Sequence, residues 1–302
     1  MGIVNVTPDS FSDGGLFLEA EDAIEHGMRL LAEGADIVDV GGESTRPGAE
    51  PVPAGEELRR VLGVIEGLAG VDWSPTHPAR PQISIDTSKA SVAEAALGAG
   101  ASLVNDVTAF RADPEMAGVV AGSGAECCLM HMSGEPRTMQ RDPAYGDVVD
   151  EVRAFLEERL AFAVREGVGE ERVLLDPGIG FGKTVEHNLE LLRRLDELLP
   201  LGRPIVIGTS RKSFLGRIAA GGGAASGTGG AAGVRGGAGE LEPLAPGNRL
   251  GGTVASNVLA FERGASVFRV HEVAPVREAL AVAAATLSRR WPGSRTETIL
   301  RS

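Results

Sequence analysis

Short apolar segments recur along this chain, and each of them ends in polar or glycine-flanked residues. Most are separated by stretches in which apolar residues recur at helical spacing. Eight strands that alternate with helices predict a parallel sheet closed into a (β/α)8 barrel, the TIM-barrel fold of the α/β class. The predicted strands are Gly2–Thr7, Ala35–Gly41, Gln82–Thr87, Ser102–Val107, Glu126–Met132, Val173–Pro177, Pro204–Thr209 and Val267–His271.

Polar side chains follow nearly all of these segments. In a (β/α)8 barrel the active site lies at the carboxyl ends of the strands, so residues at those ends are candidates for catalysis or binding. The pattern therefore predicts an enzyme. The candidates at or just past the strand ends are Asn5, Asp39, Asp86, Asn105, His131, Asp176, Arg211, Lys212, Arg269 and His271.

Length and composition predict one domain. A chain of 302 residues with 43% hydrophobic content can bury one large core, and barrels of this size are commonly single domains, so we expect residues 1–302 to form one. Residues 220–247 are dominated by glycine and alanine and have no periodic apolar pattern. Such a segment buries too little surface to offset its ordering entropy, which predicts a flexible insertion.

Charge and hydropathy limit the function classes. The net charge is −13 and no basic stripe is visible, which argues against a nucleic-acid surface. No apolar run approaches the roughly 18 residues of a membrane span, and we expect a cytoplasmic protein. Cys127 and Cys128 are adjacent on a predicted strand and so point to opposite faces, which predicts two buried hydrophobic side chains rather than a metal pair.

Two loops after the first and second strands are unusually rich in polar residues. The first runs from Asn5 to Gly15 and contains two aspartates and three hydroxyl side chains, more than an ordinary turn requires. This density favours a mobile loop that closes over a polar or anionic ligand. The second contains Thr45, which offers a hydroxyl, and Arg46, whose guanidinium is suited to phosphate.

Carboxylates and a carboxamide end the third, fourth and sixth strands at Asp86, Asn105 and Asp176. Together they suit either a divalent metal or a nitrogen-rich heterocycle, and the mixture of acids and amide favours the heterocycle. Taken singly, each aspartate also fits a helix cap, most of all Asp86.

Basic residues end the last two strands. Lys212 can be interpreted as a Schiff-base lysine, but its position beyond the strand beside Arg211 argues against desolvation and favours a positive hydrogen-bond donor. Alternation places Arg269 and His271 on the same side of a strand, where both can face one anion. The glycine-rich run after Asp176 lacks the spacing of a P-loop and predicts a flexible turn that presents Phe181.

The consecutive segments GIVNVTPDSFSDGG, DVGGESTRPGAE, SIDTS, VNDVTAF, LMHM, LDPGIGFGKT, GTSRKSFLG and RVHEV resemble the signature motifs of the dihydropteroate synthase family, in the order of that family. The resemblance implies condensation of 6-hydroxymethyl-7,8-dihydropterin diphosphate with 4-aminobenzoate, giving 7,8-dihydropteroate and diphosphate, the folate-pathway step that sulfonamides block. It also implies a homodimer and a Mg2+ cofactor.

The resemblance assigns roles to individual residues. The catalytic set is Asp9, Asp13, Lys212, Arg269 and His271, with the first two on the closing loop. The pterin ring is held by Asp86, Asn105, Met130, Asp176, Lys212 and Arg269. The diphosphate lies among Asn5, Arg46, Arg269 and His271, and Asn5 contacts Mg2+. The aminobenzoate site is bounded by Thr45, Pro47, Phe181 and Ser213.

Two other functions stay open at this point. A pterin-dependent methyltransferase barrel shares the Asp, Asn, Asp set but transfers a methyl group to a corrinoid partner. A catalytically silent paralogue would bind a pterin and form no product. Turnover of 4-aminobenzoate separates all three, whereas the fold alone does not.

Overall fold

A computed structural model describes residues 1–7, 16–45, 49–71, 81–134, 138–221 and 244–288 of the chain. Strands and helices alternate through these residues. The strands are β1 (Gly2–Asn5), β2 (Ile37–Gly41), β3 (Gln82–Asp86), β4 (Leu103–Asp106), β5 (Glu126–Met130), β6 (Val173–Asp176), β7 (Val206–Ile207) and β8 (Val267–Phe268). The helices are α1 (Leu16–Ala32), α2 (Ala54–Ala69), α3 (Ala90–Gly98), α4 (Met116–Ser123), α5 (Val148–Arg165), α6 (Val185–Arg193), α7 (Ser213–Gly221), α8 (Leu250–Glu262) and α9 (Val273–Ser288).

The strands form a closed parallel ring. β1 to β6 pair in sequence order, and β7 pairs with β8. Two parallel bridges join these sheets: Leu175 to Ile205, between β6 and β7, and Gly2 to Val270, between β1 and the end of β8. The amide of Ile3 donates to the Val270 carbonyl at 3.0 Å, which closes the circle. The predicted (β/α)8 barrel is therefore confirmed.

Apolar side chains fill the barrel on both faces of its strands. A small cluster of Leu103, Cys128, Leu174 and Val206 lies apart from the large cluster in which Cys127 packs. The two cysteines thus belong to different layers, as alternation along β5 predicts. Both thiols are buried and free.

The segment 220–247 is described only at its ends. Ala220 and Gly221 complete α7, and residues 246–248 form a short 3-10 turn before α8. The Leu244 amide donates to the Gly216 carbonyl at 3.3 Å, which ties the far end of the segment back to α7. The predicted flexibility of residues 222–243 lies outside the described residues. No helix in the described part of the chain combines the length and apolar character that a membrane crossing requires.

Candidate active site

Asp39 is the centre of a buried hydrogen-bond network that begins at the middle of β2 and β3 and extends toward the carboxyl ends of the strands. Its side chain is fully buried. Its carboxylate accepts from Ser84 Oγ at 2.6 Å, from Asn105 Nδ2 at 3.1 Å and from Arg269 Nε at 2.6 Å. Side chains from β2, β3 and β4 and from the residue after β8 therefore meet on one group. From the sequence, Asp39 is a candidate only because it lies near the end of a predicted strand. Its role at the centre of the network was not predicted.

The contact with Asp39 determines what Asn105 offers to a ligand. Because the Asn105 amide nitrogen donates to Asp39 Oδ2, its carbonyl oxygen is the atom left to accept a hydrogen bond. Asn105 is buried, so this orientation is held within the network. An oxygen presented in this way matches an N–H or amino group of a heterocycle.

Asp86 pairs with Arg269 instead of capping the helix that follows it. Arg269 Nη2 donates to Asp86 Oδ2 at 2.7 Å, and the Ala90 amide that begins α3 donates to Asp113 at 2.9 Å instead. Burial raises the pKa of the Asp86 carboxyl, and the Arg269 guanidinium opposes that rise. Burial alone would lower the pKa of Arg269, but the carboxylates of Asp39 and Asp86 outweigh it and raise that pKa. Arg269 therefore remains a cation between two carboxylates.

Asp106 has a structural role beside Asn105. Its carboxylate accepts from the Thr108 amide and hydroxyl and from the Phe110 amide, each at 2.8 Å. These bonds support a turn in which Ala109 and Phe110 both have positive φ. Of the two polar residues that end β4, Asn105 alone joins the Asp39 network.

The loop of residues 177–183, here called the glycine loop, is fastened by hydrogen bonds. The Gly178 amide donates to Asp176 Oδ1 at 2.6 Å, and Gly178 and Gly180 have positive φ. Carbonyls along the loop accept from side chains outside it or at its end. These donors are Lys183 to Gly178 and Phe181, Lys212 to Ile179, Gln140 to Gly180, and Tyr145 to Gly182. The prediction of a flexible turn is therefore wrong, because these hydrogen bonds hold the loop in place. The sequence did not reveal them, because most of the donors come from distant positions.

Lys212 lies under the glycine loop. Its ammonium donates to the Ile179 carbonyl and stands 4.6 Å from the centre of the Phe181 ring. Burial lowers the pKa of Lys212 to about 8, an effect that Asp176 opposes. The expectation that Lys212 escapes desolvation is wrong, because the loop folds over it. Its contacts with a carbonyl and an aromatic face are those of a positive hydrogen-bond donor.

An apolar wall stands next to these polar groups. Val107, Met130, Met132 and Met139 form one buried cluster, and Phe181 packs against it while remaining partly exposed. Met130 pairs in register with Asp176 on the neighbouring strand. A flat ring held by the polar groups would therefore have apolar side chains beside it.

His271 is held by Ser210, which is not among the predicted site residues. Ser210 Oγ lies 2.9 Å from His271 Nδ1 and accepts from the His271 amide at 3.2 Å. Arg211, which has positive φ, turns outward and donates from Nε to Glu272 at 2.6 Å. The turn after β7 thus directs Arg211 to the surface and Ser210 to the histidine.

The base of the second loop is fixed by an ion cluster that the sequence also missed. Lys89 donates to Glu43 and, at 2.5 Å, to the fully buried Glu57. Glu43 accepts in turn from the Val52 amide at 3.0 Å. The cluster joins both ends of the loop that contains Thr45, which is itself partly buried.

The remaining predicted site residues divide into two groups. Asn5 ends β1 and is partly buried, and Ser213 is exposed at the start of α7. Asp9, Asp13, Arg46 and Pro47 lie outside the described residues. The structure therefore brings together Asp86, Asn105, Met130, Asp176, Lys212, Phe181 and Arg269 through the contacts given above, and the predicted role of each stays a prediction.

Comparisons with known proteins show the family to which the chain belongs. A family model described as pterin binding enzyme matches residues 1–271. The dihydropteroate synthase of Mycobacterium leprae is 44% identical over 290 residues, which are 95% of this chain and 93% of that protein. The chain belongs to the dihydropteroate synthase family of pterin-binding enzymes.

Solved structures of family members superpose on the chain closely. The dihydropteroate synthase of Xanthomonas albilineans with 4-aminobenzoic acid has a TM-score of 0.80 and 43% identity, covering 95% of this chain and 92% of that one. The same enzyme in complex with 7,8-dihydropteroate has a TM-score of 0.78 and 41% identity, covering 95% and 93%. The Yersinia pestis enzyme with a sulfonamide drug complex has a TM-score of 0.81 and 39% identity, covering 95% and 94%.

Proposed function

We propose that this protein is a dihydropteroate synthase, which joins 6-hydroxymethyl-7,8-dihydropterin diphosphate to 4-aminobenzoate and releases diphosphate. The observation that carries the proposal is the Asp39 network, because it leaves the Asn105 carbonyl oxygen to accept a hydrogen bond at a position in register with Asp86, which the same network holds through Arg269. Acceptors of this kind match the N–H and amino donors of a pterin. A methyltransferase would use similar acceptors, but the named relatives are synthases.

The chemistry required of the protein is mainly control of separating charge. When the C–O bond to diphosphate ionises, the pterin methylene becomes a carbocation conjugated with the electron-rich ring, and the diphosphate leaves as an anion. Arg269, His271 and Lys212 would stabilise the departing anion and orient the ring. The amine of 4-aminobenzoate then attacks the carbocation and loses a proton. The closing loops would exclude water until that attack.

Magnesium fits this site through one protein oxygen. Mg2+ prefers oxygen donors and commonly combines one or two protein ligands with substrate phosphates, and Asn5 supplies a carboxamide oxygen at the end of β1. When bound, the cation would neutralise diphosphate charge. We expect a chelator to abolish turnover and added Mg2+ to restore it.

The aminobenzoate would lie at the edge of the pterin site formed by Phe181, Ser213, Thr45 and Pro47. The partly exposed Phe181 ring offers one face for stacking, and Lys212 lies close to that ring. Sulfonamides resemble 4-aminobenzoate in shape and charge, so we expect them to compete with it and not with the pterin.

We also propose a cytoplasmic homodimer. α8 and α9 carry exposed apolar side chains, with Leu259 49% exposed, Val282 62% and Leu287 54%. A second copy of the chain would cover such a surface. Light scattering during gel filtration should then give twice the mass of one 31.2 kDa chain.

The decisive experiment measures both products from purified protein. Dihydropterin diphosphate, Mg2+ and 4-aminobenzoate are supplied, with a control that lacks the aminobenzoate. Equal amounts of dihydropteroate and diphosphate are expected only in the complete mixture. Pterin binding without dihydropteroate would refute the synthase and favour a silent pterin-binding protein.

A further inference from the structure

Lys183 is a buried lysine at the end of the glycine loop, and no part of the reaction above uses it. Its side chain is 3% exposed. Its Nζ donates to the carbonyls of Gly178 and Phe181, each at 3.0 Å, and lies 2.8 Å from His131 Nδ1. An ammonium group has three hydrogens, and these three acceptors use all of them.

These partners argue against a direct role of Lys183 in binding substrate. Because its donors are engaged within the protein, little remains for a phosphate or a carboxylate. Burial lowers the pKa of Lys183 well below its ordinary value, and Asp176 opposes that fall. A buried amine that contacts two backbone carbonyls of one loop holds that loop.

His131 is the fixed end of this attachment. It directly follows β5, and its amide donates to the Asp176 carbonyl at 2.9 Å. Its ring packs edge-on against the ring of Phe155, with 4.8 Å between the two ring centres. Burial lowers the pKa of His131 to about 2, with Lys183 acting in the same direction, so the ring stays neutral. Neutral Nδ1 can therefore accept from Lys183, which ties the glycine loop to the end of β5.

The loop segment held by Lys183 carries a predicted aminobenzoate contact. Lys183 bonds the Phe181 carbonyl directly, so it holds the backbone that carries the Phe181 ring. Asp176, in contrast, is the last residue of β6 and is held by strand pairing with Met130. Loss of Lys183 should therefore displace Phe181 further than Asp176.

We propose that Lys183 is a positioning residue that sets Phe181 for the incoming arylamine by fastening the glycine loop to His131. The inference rests on the proposed synthase function and on the predicted contact between Phe181 and 4-aminobenzoate. It assigns Lys183 to the specificity for the second substrate, not to the pterin.

The test compares Lys183→Met, which keeps the length of the side chain and removes its hydrogen bonds, with wild-type protein. We expect the KM for 4-aminobenzoate to rise about tenfold or more, while pterin affinity changes by less than about threefold. The matched control is Val64→Ala, a truncation in the buried face of α2, the helix that follows β2 on the opposite side of the barrel from β6 and its glycine loop. The control should lower the melting temperature and leave both substrate constants unchanged.

Lys183→Gln is the second variant, and its amide should recover part of the aminobenzoate affinity. Wild-type turnover together with an unchanged KM for 4-aminobenzoate in a folded Lys183 variant would overturn this inference alone. Failure of both variants to fold would also overturn it, in favour of a role in stability only. A wild-type protein that forms no dihydropteroate would overturn the proposed function, and this inference with it.

Discussion

Replacing Asp39 by asparagine tests whether the central network holds the pterin site together. The substitution keeps the volume of the side chain, so it creates no cavity, but it removes the negative charge. An asparagine carbonyl oxygen has two lone pairs, whereas three donors converge on the Asp39 carboxylate, from Ser84, Asn105 and Arg269. At least one donor therefore loses its acceptor.

The structure sets the expected magnitude. A hydrogen bond to a charged group contributes about 1.5–3 kcal/mol to stability. Breaking a buried ion pair outright costs about 3–5 kcal/mol, but Arg269 keeps Asp86 at 2.7 Å and its side chain is 23% exposed. We therefore expect Asp39→Asn to lower the free energy of unfolding by about 2–3 kcal/mol. We also expect pterin affinity to fall about tenfold, which corresponds to 1.4 kcal/mol.

Urea unfolding measures the change in the free energy of unfolding, and titration calorimetry with a pterin measures the change in affinity. Ser84→Ala is the matched control, because it removes one donor to Asp39 without touching Arg269 or Asn105. It should destabilise the fold and leave pterin affinity nearly unchanged. If Asp39→Asn had the stability and the pterin affinity of wild type, the Asp39 network would not be required to hold the pterin site together.

Three further predictions follow from single groups. Gly178→Ala should prevent stable folding, since a Cβ there would lie 1.8 Å from the His131 carbonyl oxygen at a φ of 66°; circular dichroism of the purified variant checks this, and a native melting curve would contradict it. Because the pKa of Lys212 is lowered to about 8, its charge and the pterin affinity should decline as pH rises through 8, and a flat affinity from pH 7 to 9 would exclude that dependence. Burial raises the pKa of Cys127 to about 12 and that of Cys128 well above its ordinary value, so a thiol reagent should label neither in the native protein and both in urea.

The fold was predictable because hydrophobic periodicity and strand-end chemistry recur eight times. The carboxyl-terminal position of Asp86, Asn105 and Asp176 follows from that pattern alone. Their mutual orientation does not, because it depends on Arg269, which reaches Asp39 across 230 positions of sequence. No role was predicted for Asp39, because the sequence does not distinguish an aspartate that binds a ligand from one that binds neighbouring side chains.

The prediction of a flexible glycine loop was wrong because it was based on the local sequence alone. Glycines in succession normally predict flexibility, and the tertiary contacts that oppose it come from distant side chains. Gln140 and Tyr145 approach from the segment before α5, and Lys212 approaches from beyond β7. None of these donors is visible as a pattern within residues 177–183. The same limit explains why Lys212 was expected to be solvated.

Closure of the barrel between β1 and β8 also has a consequence for synthesis of the chain. The Ile3 amide donates to the Val270 carbonyl, a partner 267 positions later. At about 5–20 residues per second, a ribosome needs on the order of tens of seconds to supply that partner. Until then β1 has an open edge that can pair with other chains. During the interval between the first and last strands, the nascent protein is therefore exposed to aggregation at this unpaired edge.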